Sequence, residues 1–173
     1  LKVIADIGII GMPNAGKSSL LAALTRARPK IANYPFTTLD PNLGVSYYDN
    51  KEVTLADIPG LVEGAHEGVG LGDKFLRHIE RCKILLHLID VSEEKISENY
   101  LKIRKELTKY GEILSKKKEI IVFNKSDLLE KKELDKKLKI FKSKIKKKFE
   151  VISVVSDTNL ITLRKVLLKN VHK

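Results

Sequence analysis

The stretch Gly11–Ser18, "GMPNAGKS", decides the fold, because it matches the pattern G-x-x-x-x-G-K-[ST] in a fitting context. An apolar run, "VIADIGII" (Val3–Ile10), precedes it and predicts a buried strand, and "KSSLLAALTRA" follows it and predicts a helix. Glycines in such a loop let successive backbone N–H groups converge on phosphate oxygens, and the start of the helix adds its positive dipole end. The stretch therefore predicts a cradle for the phosphates of a nucleoside triphosphate.

Two side chains of this loop carry the predicted charge chemistry. Lys17 is expected to neutralise the outer phosphates, and the Ser18 hydroxyl is expected to bind Mg²⁺. The expected phosphate-binding residues are Gly11, Met12, Pro13, Asn14, Ala15, Gly16, Lys17, Ser18 and Ser19.

Outward from this loop, apolar runs alternate with helical patterns, which is typical of a parallel sheet with crossover helices. Residues 43–58 predict a hairpin that turns at Asp49 and Asn50, and residues 83–91, 119–124 and 149–155 predict three further strands. Apolar residues at helical spacing predict helices over 96–114, 134–145 and 160–167. The expected fold is α/β, a P-loop NTPase with a mostly parallel six-stranded sheet flanked by helices.

The base is predicted by "NKSD", Asn124 to Asp127, which directly follows an apolar strand. The Asp127 carboxylate suits guanine, because it can accept two parallel hydrogen bonds from N1–H and the 2-amino group. Adenine would leave that carboxylate unpaired, so an ATP-using relative is the less favoured interpretation. Asn124 is expected at guanine N7, and the stem of Lys125 over the base plane. Ser153, Val154 and Val155 lie at the end of the last predicted strand, and Ser153 with the Val154 N–H is expected near guanine O6.

A glycine-rich run, "DIPGLVEGAHEGVGLGD" (Asp57–Asp73), holds five of the ten glycines. Its first residues, Asp57, Ile58, Pro59 and Gly60, lie at a predicted strand end. Asp57 is expected to hold a water of the magnesium shell, and the Gly60 N–H is expected to bond the γ-phosphate. Loss of that phosphate would release the loop. A companion segment, "NYPFTTLDPNLG", carries two adjacent threonines, one of which could complete the magnesium shell.

The chain resembles the GTPase domain of the Obg family of ribosome-associated GTPases, a Ras-like G domain. The resemblance is carried by "ADIGIIGMPNAGKSSLLAALTRARPKIANYPFTTLDPNLG", "DIPGLVEGAHEGVGLGDKFLRHIERC" and "NKSD". It implies that Thr38 is the magnesium ligand, with Phe36, Thr37 and Leu39 beside the nucleotide. Lys17, Thr38 and Gly60 would then form the catalytic set, and Ser18 and Thr38 the metal ligands.

The resemblance also implies a role in maturation of the large ribosomal subunit. Partners would be GTP or GDP and, through the full-length protein, that subunit or its rRNA. Family members carry a glycine-rich N-terminal domain that is not found in this sequence. Residues 1–173 are therefore expected to be a single G domain taken from a longer protein.

Hydrolysis is expected to be slow, because Leu61 stands where many signalling GTPases place a water-orienting glutamine. Glu63, His66 or Glu67 could replace that glutamine or merely cap a turn. Related GTPases hold a potassium ion beside an asparagine at the position of Asn14, so K⁺ there is a further hypothesis. A nucleotide or alarmone sensor, with hydrolysis incidental, stays open as an alternative to the hydrolytic switch.

Composition bounds these interpretations. The 173 residues are 43% hydrophobic, with one cysteine and no apolar run long enough for a bilayer, which favours a cytoplasmic domain or one from an organelle interior whose targeting segment has been removed. The isolated domain is expected to be monomeric. The net charge is +11, and residues 101–173 hold 22 Lys and Arg against 9 Asp and Glu. These lysines could attract RNA, but without interleaved arginines or aromatics they are interpreted mainly as solvated helix surfaces.

Overall fold

The computed structural model describes residues 5–25, 30–31, 42–57 and 79–172. In these ranges the strands are β1 (Ile7–Gly11), β2 (Lys30–Ile31), β3 (Asn42–Tyr48), β4 (Lys51–Asp57), β5 (Ile84–Asp90), β6 (Glu119–Asn124) and β7 (Phe149–Val151). The helices are α1 (Lys17–Leu24), α2 (Ile96–Tyr110), α3 (Glu112–Ser115), α4 (Lys131–Ile145) and α5 (Leu160–Val171), with a 3₁₀ turn at Ser126–Leu128.

The strands form one sheet in the order β2-β3-β4-β1-β5-β6-β7. Across the sheet, β4, β1, β5, β6 and β7 are each parallel to their neighbours in this group, and β3 pairs antiparallel with β4 and β2. The predicted α/β fold with a mostly parallel sheet is confirmed. The six predicted strands are present, and β2 adds a two-residue seventh strand that its short sequence did not reveal.

Helices cover both faces of the sheet, which explains why β1 and β5 are buried along their whole length. On one face α1 and α5 pack with Ile7, Ile9, Leu86 and Leu88 in a continuous apolar cluster. On the other face α2, α3 and α4 pack over alternate residues of the same strands. Since successive strand residues point to opposite faces, one apolar strand supplies both layers.

Several local predictions are confirmed, and others need correction. The hairpin turns at Asp49 and Asn50, both with positive φ, as predicted. The predicted helix over 96–114 is interrupted at Gly111, whose φ of 132° ends α2 and starts the short α3. The predicted strand over 149–155 ends at Val151, because the following residues turn into the loop before α5.

A buried polar network links β5 and β6 to α2 through Glu119. Its carboxylate accepts a hydrogen bond from the Tyr100 hydroxyl at 3.0 Å and lies 3.1 Å from His87 Nδ1 and 3.5 Å from Arg104 Nη1. Burial alone would raise the pKa of Glu119, but the bond to His87 and the charges of His87 and Arg104 outweigh it and lower that pKa. The carboxylate therefore stabilises the fold in its ionised form.

Glu119→Gln should lower the free energy of unfolding at pH 7 by about 1–3 kcal/mol, because a buried charged acceptor is lost. A lowered folded-state pKa gives stability that is present above the unfolded pKa and is lost as the pH falls through the folded pKa. The wild-type chain should therefore lose more stability than the variant on acidification. Urea titrations at pH 7 and at acidic pH measure this difference. Glu112→Gln, in an exposed pair with Lys116, is the control and should change little. Equal effects of the two substitutions would contradict the stabilising role of the network.

Among the described residues, no helix is both long enough and apolar enough to cross a membrane.

Candidate nucleotide-binding site

The strand register brings the predicted site residues to one edge of the sheet. Asp57, the last residue of β4, pairs with Ile9 of β1, so it lies beside the loop that follows β1. Asp90 of β5 pairs with Asn124 of β6, both at the last position of their strands. Loops at the carboxyl ends of neighbouring parallel strands are where ligands bind in open α/β sheets.

The carbonyl groups of the phosphate loop are directed into the protein by a set of internal donors. The hydrogen bonds run from Lys17 Nζ to Gly11 O (3.3 Å), Ala15 N to Met12 O (3.1 Å), Lys125 Nζ to Asn14 O (2.8 Å), Asn124 Nδ2 to Ala15 O (3.1 Å) and Leu20 N to Gly16 O (2.9 Å). A loop whose carbonyls are occupied in this way presents N–H groups to an anion. The sequence shows the glycines but not these donors, which come from the loop itself, from α1 and from the end of β6 with the residue after it.

Two glycines are required by this geometry. Gly16 has a φ of 96°, and a Cβ on it would lie 2.8 Å from Asn124 Nδ2. Gly11 has a φ of 154°, and a Cβ on it would collide with the Leu88 carbonyl. Any side chain at these positions would push the loop away from β5 and β6, so the cradle depends on both glycines.

The N-terminus of α1 completes the cradle. No side chain of the described residues caps it, and its first turn carries no acidic residue. The N–H groups of that turn have no intrahelical acceptor, and they carry the positive end of the helix dipole. In front of them lies a cleft of about 610 Å³, within the usual range for small-molecule sites. Its lining residues are Pro13, Asn14, Gly16, Lys17, Ser18, Ser19, Asp57, Asp90, Glu93 and Lys125.

Lys17, Ser18 and Asp57 meet in this cleft. Ser18 Oγ donates a 2.8 Å hydrogen bond to Asp57 Oδ2, and Lys17 Nζ lies 3.9 Å from Asp57 Oδ1. Burial lowers the pKa of Lys17, and the nearby Asp57 charge opposes this shift. Anionic phosphate at Lys17 would favour the charged form in the same way, which suits the predicted role of this ammonium.

The same three residues fit a hydrated divalent cation. Asp57 is 5% exposed, and its Oδ1 accepts no hydrogen bond from any described residue. Buried carboxylate oxygens nearly always have a partner, so this atom is suited to a water of a cation's shell. Hydroxyl and carboxylate oxygens are the ligands that Mg²⁺ prefers.

The predicted base-binding residues also converge. Ser153 Oγ donates to Asp127 Oδ1 at 2.7 Å, so the single hydroxyl proton of Ser153 orients the carboxylate. The Val154 N–H, expected near guanine O6, donates here to Asn124 Oδ1 at 3.2 Å. Asn124 thus ties the phosphate loop to the last loop and keeps one amide proton for a ligand. Val155 is 85% exposed at this end.

Asp90 is a site residue that the sequence reasoning missed. Its Oδ2 lies 3.1 Å from Lys125 Nζ, and its Oδ1 accepts bonds from the Ser92 backbone N–H and hydroxyl. Lys125, with a φ of 67°, is thereby held between Asp90 and the Asn14 carbonyl. The signal that could have identified Asp90 is its position as a carboxylate at the end of a fully buried parallel strand.

The remaining predicted site residues lie outside the described ranges. They are Phe36, Thr37, Thr38, Leu39, Ile58, Pro59 and Gly60, together with Leu61, Glu63, His66 and Glu67 of the glycine-rich run. Their roles stay predictions.

Comparison with known families finds a match over residues 6–125 to the family described as 50S ribosome-binding GTPase. The matched range begins one residue before β1 and ends at Lys125, so it includes the phosphate loop and Asp57.

Individual relatives agree with this match. The chain is 57% identical over 171 residues to the GTPase Obg of Pelagibacter ubique, covering 99% of this chain and 52% of that protein. It is 56% identical over 173 residues to the GTPase Obg of Ehrlichia canis, covering 100% of this chain and 50% of that protein. The chain thus spans about half the length of these curated relatives.

A solved structure with the same fold is that of an Era variant from Aquifex aeolicus bound to GDP and AlF₄⁻. The TM-score is 0.69 at 26% identity, over 98% of this chain and 57% of that one.

Proposed function

The chain belongs to the family of 50S ribosome-binding GTPases, and from that premise we propose that it binds GTP and hydrolyses it slowly as a molecular switch. The resemblance to Obg is confirmed by relatives more than half identical over nearly the whole chain. The predicted Ras-like P-loop fold agrees with the Era structure.

One observation supports this proposal most directly. Five carbonyls of the phosphate loop accept bonds from internal donors, and Ser18 donates to Asp57 Oδ2. The other oxygen of this buried carboxylate, Oδ1, lies 3.9 Å from Lys17 Nζ and accepts no hydrogen bond from any described residue. Such an arrangement suits an anion and a hydrated cation together, as in a nucleoside triphosphate with Mg²⁺.

Guanine as the base rests on Asp127 and its support. The Ser153 hydroxyl fixes one carboxylate oxygen, and a carboxylate still has lone pairs for two N–H donors. Lys125 Nζ donates to the Asn14 carbonyl of the phosphate loop and pairs with Asp90, which couples base recognition to the phosphate site.

For hydrolysis we assign roles that fit the chemistry of phosphoryl transfer. Mg²⁺, when bound, would neutralise charge on the outer phosphates; Ser18 and Thr38 would hold it directly and Asp57 through water. Lys17 would bind the outer phosphates, and the Gly60 N–H would bond the γ-phosphate. Leucine at position 61 cannot orient water by hydrogen bonding, so turnover would be slow. Potassium near Asn14 stays a hypothesis, which turnover measured in KCl against NaCl would test.

For biological role we propose assembly of the large ribosomal subunit in the cytoplasm, with the rest of a longer protein contributing to docking. The support is the family description and the names of the relatives, of which this chain spans about half.

The proposed activity predicts metal-dependent, base-selective turnover. Phosphate release from GTP should require Mg²⁺ and stop when EDTA is added, because the cation neutralises the charge that builds up on the phosphates. ATP at the same concentration should be turned over at least about 100-fold more slowly, since Asp127 would face an acceptor at adenine N1. Phosphate release and nucleotide binding should both be measured.

Two results would count against it. Equal turnover of ATP and GTP would refute the guanine assignment. Tight GTP binding without any turnover would favour the sensor, in which hydrolysis is incidental.

A further inference from the structure

A basic surface lies at the end of the sheet opposite the phosphate loop. It consists of two adjoining grooves that share Lys169 of the last turn of α5. The first groove lies between Tyr48, Lys51 and Lys165. The second groove lies at the starts of β6 and β7 and includes Lys118 and Lys148. We refer to Lys51, Lys118, Lys148, Lys165 and Lys169 as the distal lysines.

Lys165 and Lys169 are four residues apart on α5, and the fold brings Lys51, Lys118 and Lys148 to them from separate parts of the chain. All five are exposed, and none forms an ion pair within the described part of the chain. Clustering of like charges without counter-charges is unfavourable in the isolated molecule and is relieved by an anionic ligand.

Acidic side chains do little to neutralise this surface. The first groove has no Asp or Glu in its lining. The second contains Glu119 and Glu150, but the Glu119 carboxylate is turned inward to Tyr100, His87 and Arg104. The net charge of the two grooves is therefore strongly positive.

Aromatic rings lie among these cations. Lys165 Nζ lies 5.9 Å from the ring centroid of Tyr48, and Phe149 lines the second groove. Cationic grooves with aromatic faces are typical of surfaces that bind single-stranded nucleic acid. Protein interfaces instead centre on exposed apolar anchors. The large apolar residues exposed in the described ranges lie mostly elsewhere, including Leu101, Ile113, Leu128 and Val155.

We propose that the distal lysines bind the phosphate backbone of RNA. Lysines without arginine forks act as point charges, so the contact is independent of base sequence. The surface lies at the opposite end of the strands from the nucleotide cleft, so RNA and nucleotide can be bound together. The inference deepens the proposed ribosomal role and rests on it for the choice of RNA as the partner.

The test compares two variants with the same change of net charge. One is Lys51→Glu, Lys165→Glu, Lys169→Glu; the control is Lys132→Glu, Lys136→Glu, Lys139→Glu, on exposed positions of α4. Binding of a fluorescent single-stranded oligouridylate is followed by anisotropy over a series of KCl concentrations. GTP binding by each protein reports whether it is folded.

The distal variant should lose RNA affinity at least about tenfold, and its slope of log K against log[KCl] should flatten by about 2, since each lost contact with single-stranded RNA removes about 0.7. The α4 control should change much less. Equal losses in the two variants would overturn the inference, because they would indicate attraction by net charge alone. Absence of RNA binding by the wild-type chain would also overturn it, and binding of an acidic protein segment in its place would assign the surface to a protein partner.

Failure of this inference is distinguishable from failure of the proposed function. If the distal variant and the α4 control bind RNA equally well while GTP turnover is normal, only the surface assignment is refuted. Normal RNA binding without any turnover of GTP would refute the switch and leave the surface in place.

Discussion

Lys17→Ala should lower GTP turnover by at least about 100-fold, the cost of removing one preorganised charged group that faces developing charge. Lys17 is 8% exposed, and burial lowers its pKa while the Asp57 charge opposes the shift. Without the ammonium, the phosphate loop would offer the outer phosphates only backbone N–H groups, and the Asp57 carboxylate would repel them. Phosphate release and binding of a fluorescent GTP analogue measure the two parts of the effect.

The matched control is Lys132→Ala, an exposed lysine on α4, which should leave turnover unchanged. Circular dichroism should show that both variants are folded, because Lys17 contributes one weak backbone bond and one 3.9 Å ion pair within the described chain. Turnover by Lys17→Ala within about threefold of wild type would contradict the placement of the outer phosphates at this residue.

The phosphate cradle was predictable because its determinants are local. In "GMPNAGKS", the glycines, the lysine and the start of the helix are adjacent in sequence, and the preceding apolar strand fixes their position in the sheet. The convergence of Asp57 and Asn124 was also predictable, because the carboxyl ends of parallel strands meet at one edge. The strands and the mostly parallel sheet followed from apolar runs separated by helical periods.

Other features depend on contacts that no local pattern encodes. Asp90 was missed because its partner, Lys125, is brought to it only when β5 and β6 pair. The bond from the Ser153 hydroxyl to Asp127 was not predicted, because the turn after β7 sets it; the expected contact with guanine O6 stays a prediction. Lys118, Lys148, Lys165 and Lys169 belong to the lysine-rich second half that was interpreted mainly as solvated surface, and their grouping with Lys51 depends on the sheet and α5.

Asp127→Asn should weaken GTP binding by about 2 kcal/mol or more, roughly 30-fold, because a charge-assisted pair of hydrogen bonds is replaced by at most one. Asparagine keeps an oxygen for the Ser153 hydroxyl, which donates to Asp127 Oδ1 at 2.7 Å, so the loop geometry should be retained.

The new asparagine amide should at the same time favour xanthosine nucleotides. Its N–H can donate to their 2-oxo group, whereas the 2-amino group of guanine is itself a donor and cannot accept this bond. A change of preference between two bases separates base recognition from general damage to the site. Calorimetric titration with GDP and with xanthosine diphosphate measures both affinities in one preparation.

Ser153→Ala provides the graded control for the same carboxylate. It leaves the Asp127 charge in place and removes only the hydroxyl that orients it, so GDP binding should fall by about 1 kcal/mol without any gain for the xanthosine nucleotide. If GDP affinity is unchanged in Asp127→Asn, the carboxylate does not read the base and the guanine assignment is wrong. If both variants lose affinity equally and neither gains xanthosine binding, Asp127 maintains the structure of the loop rather than contacting the ligand.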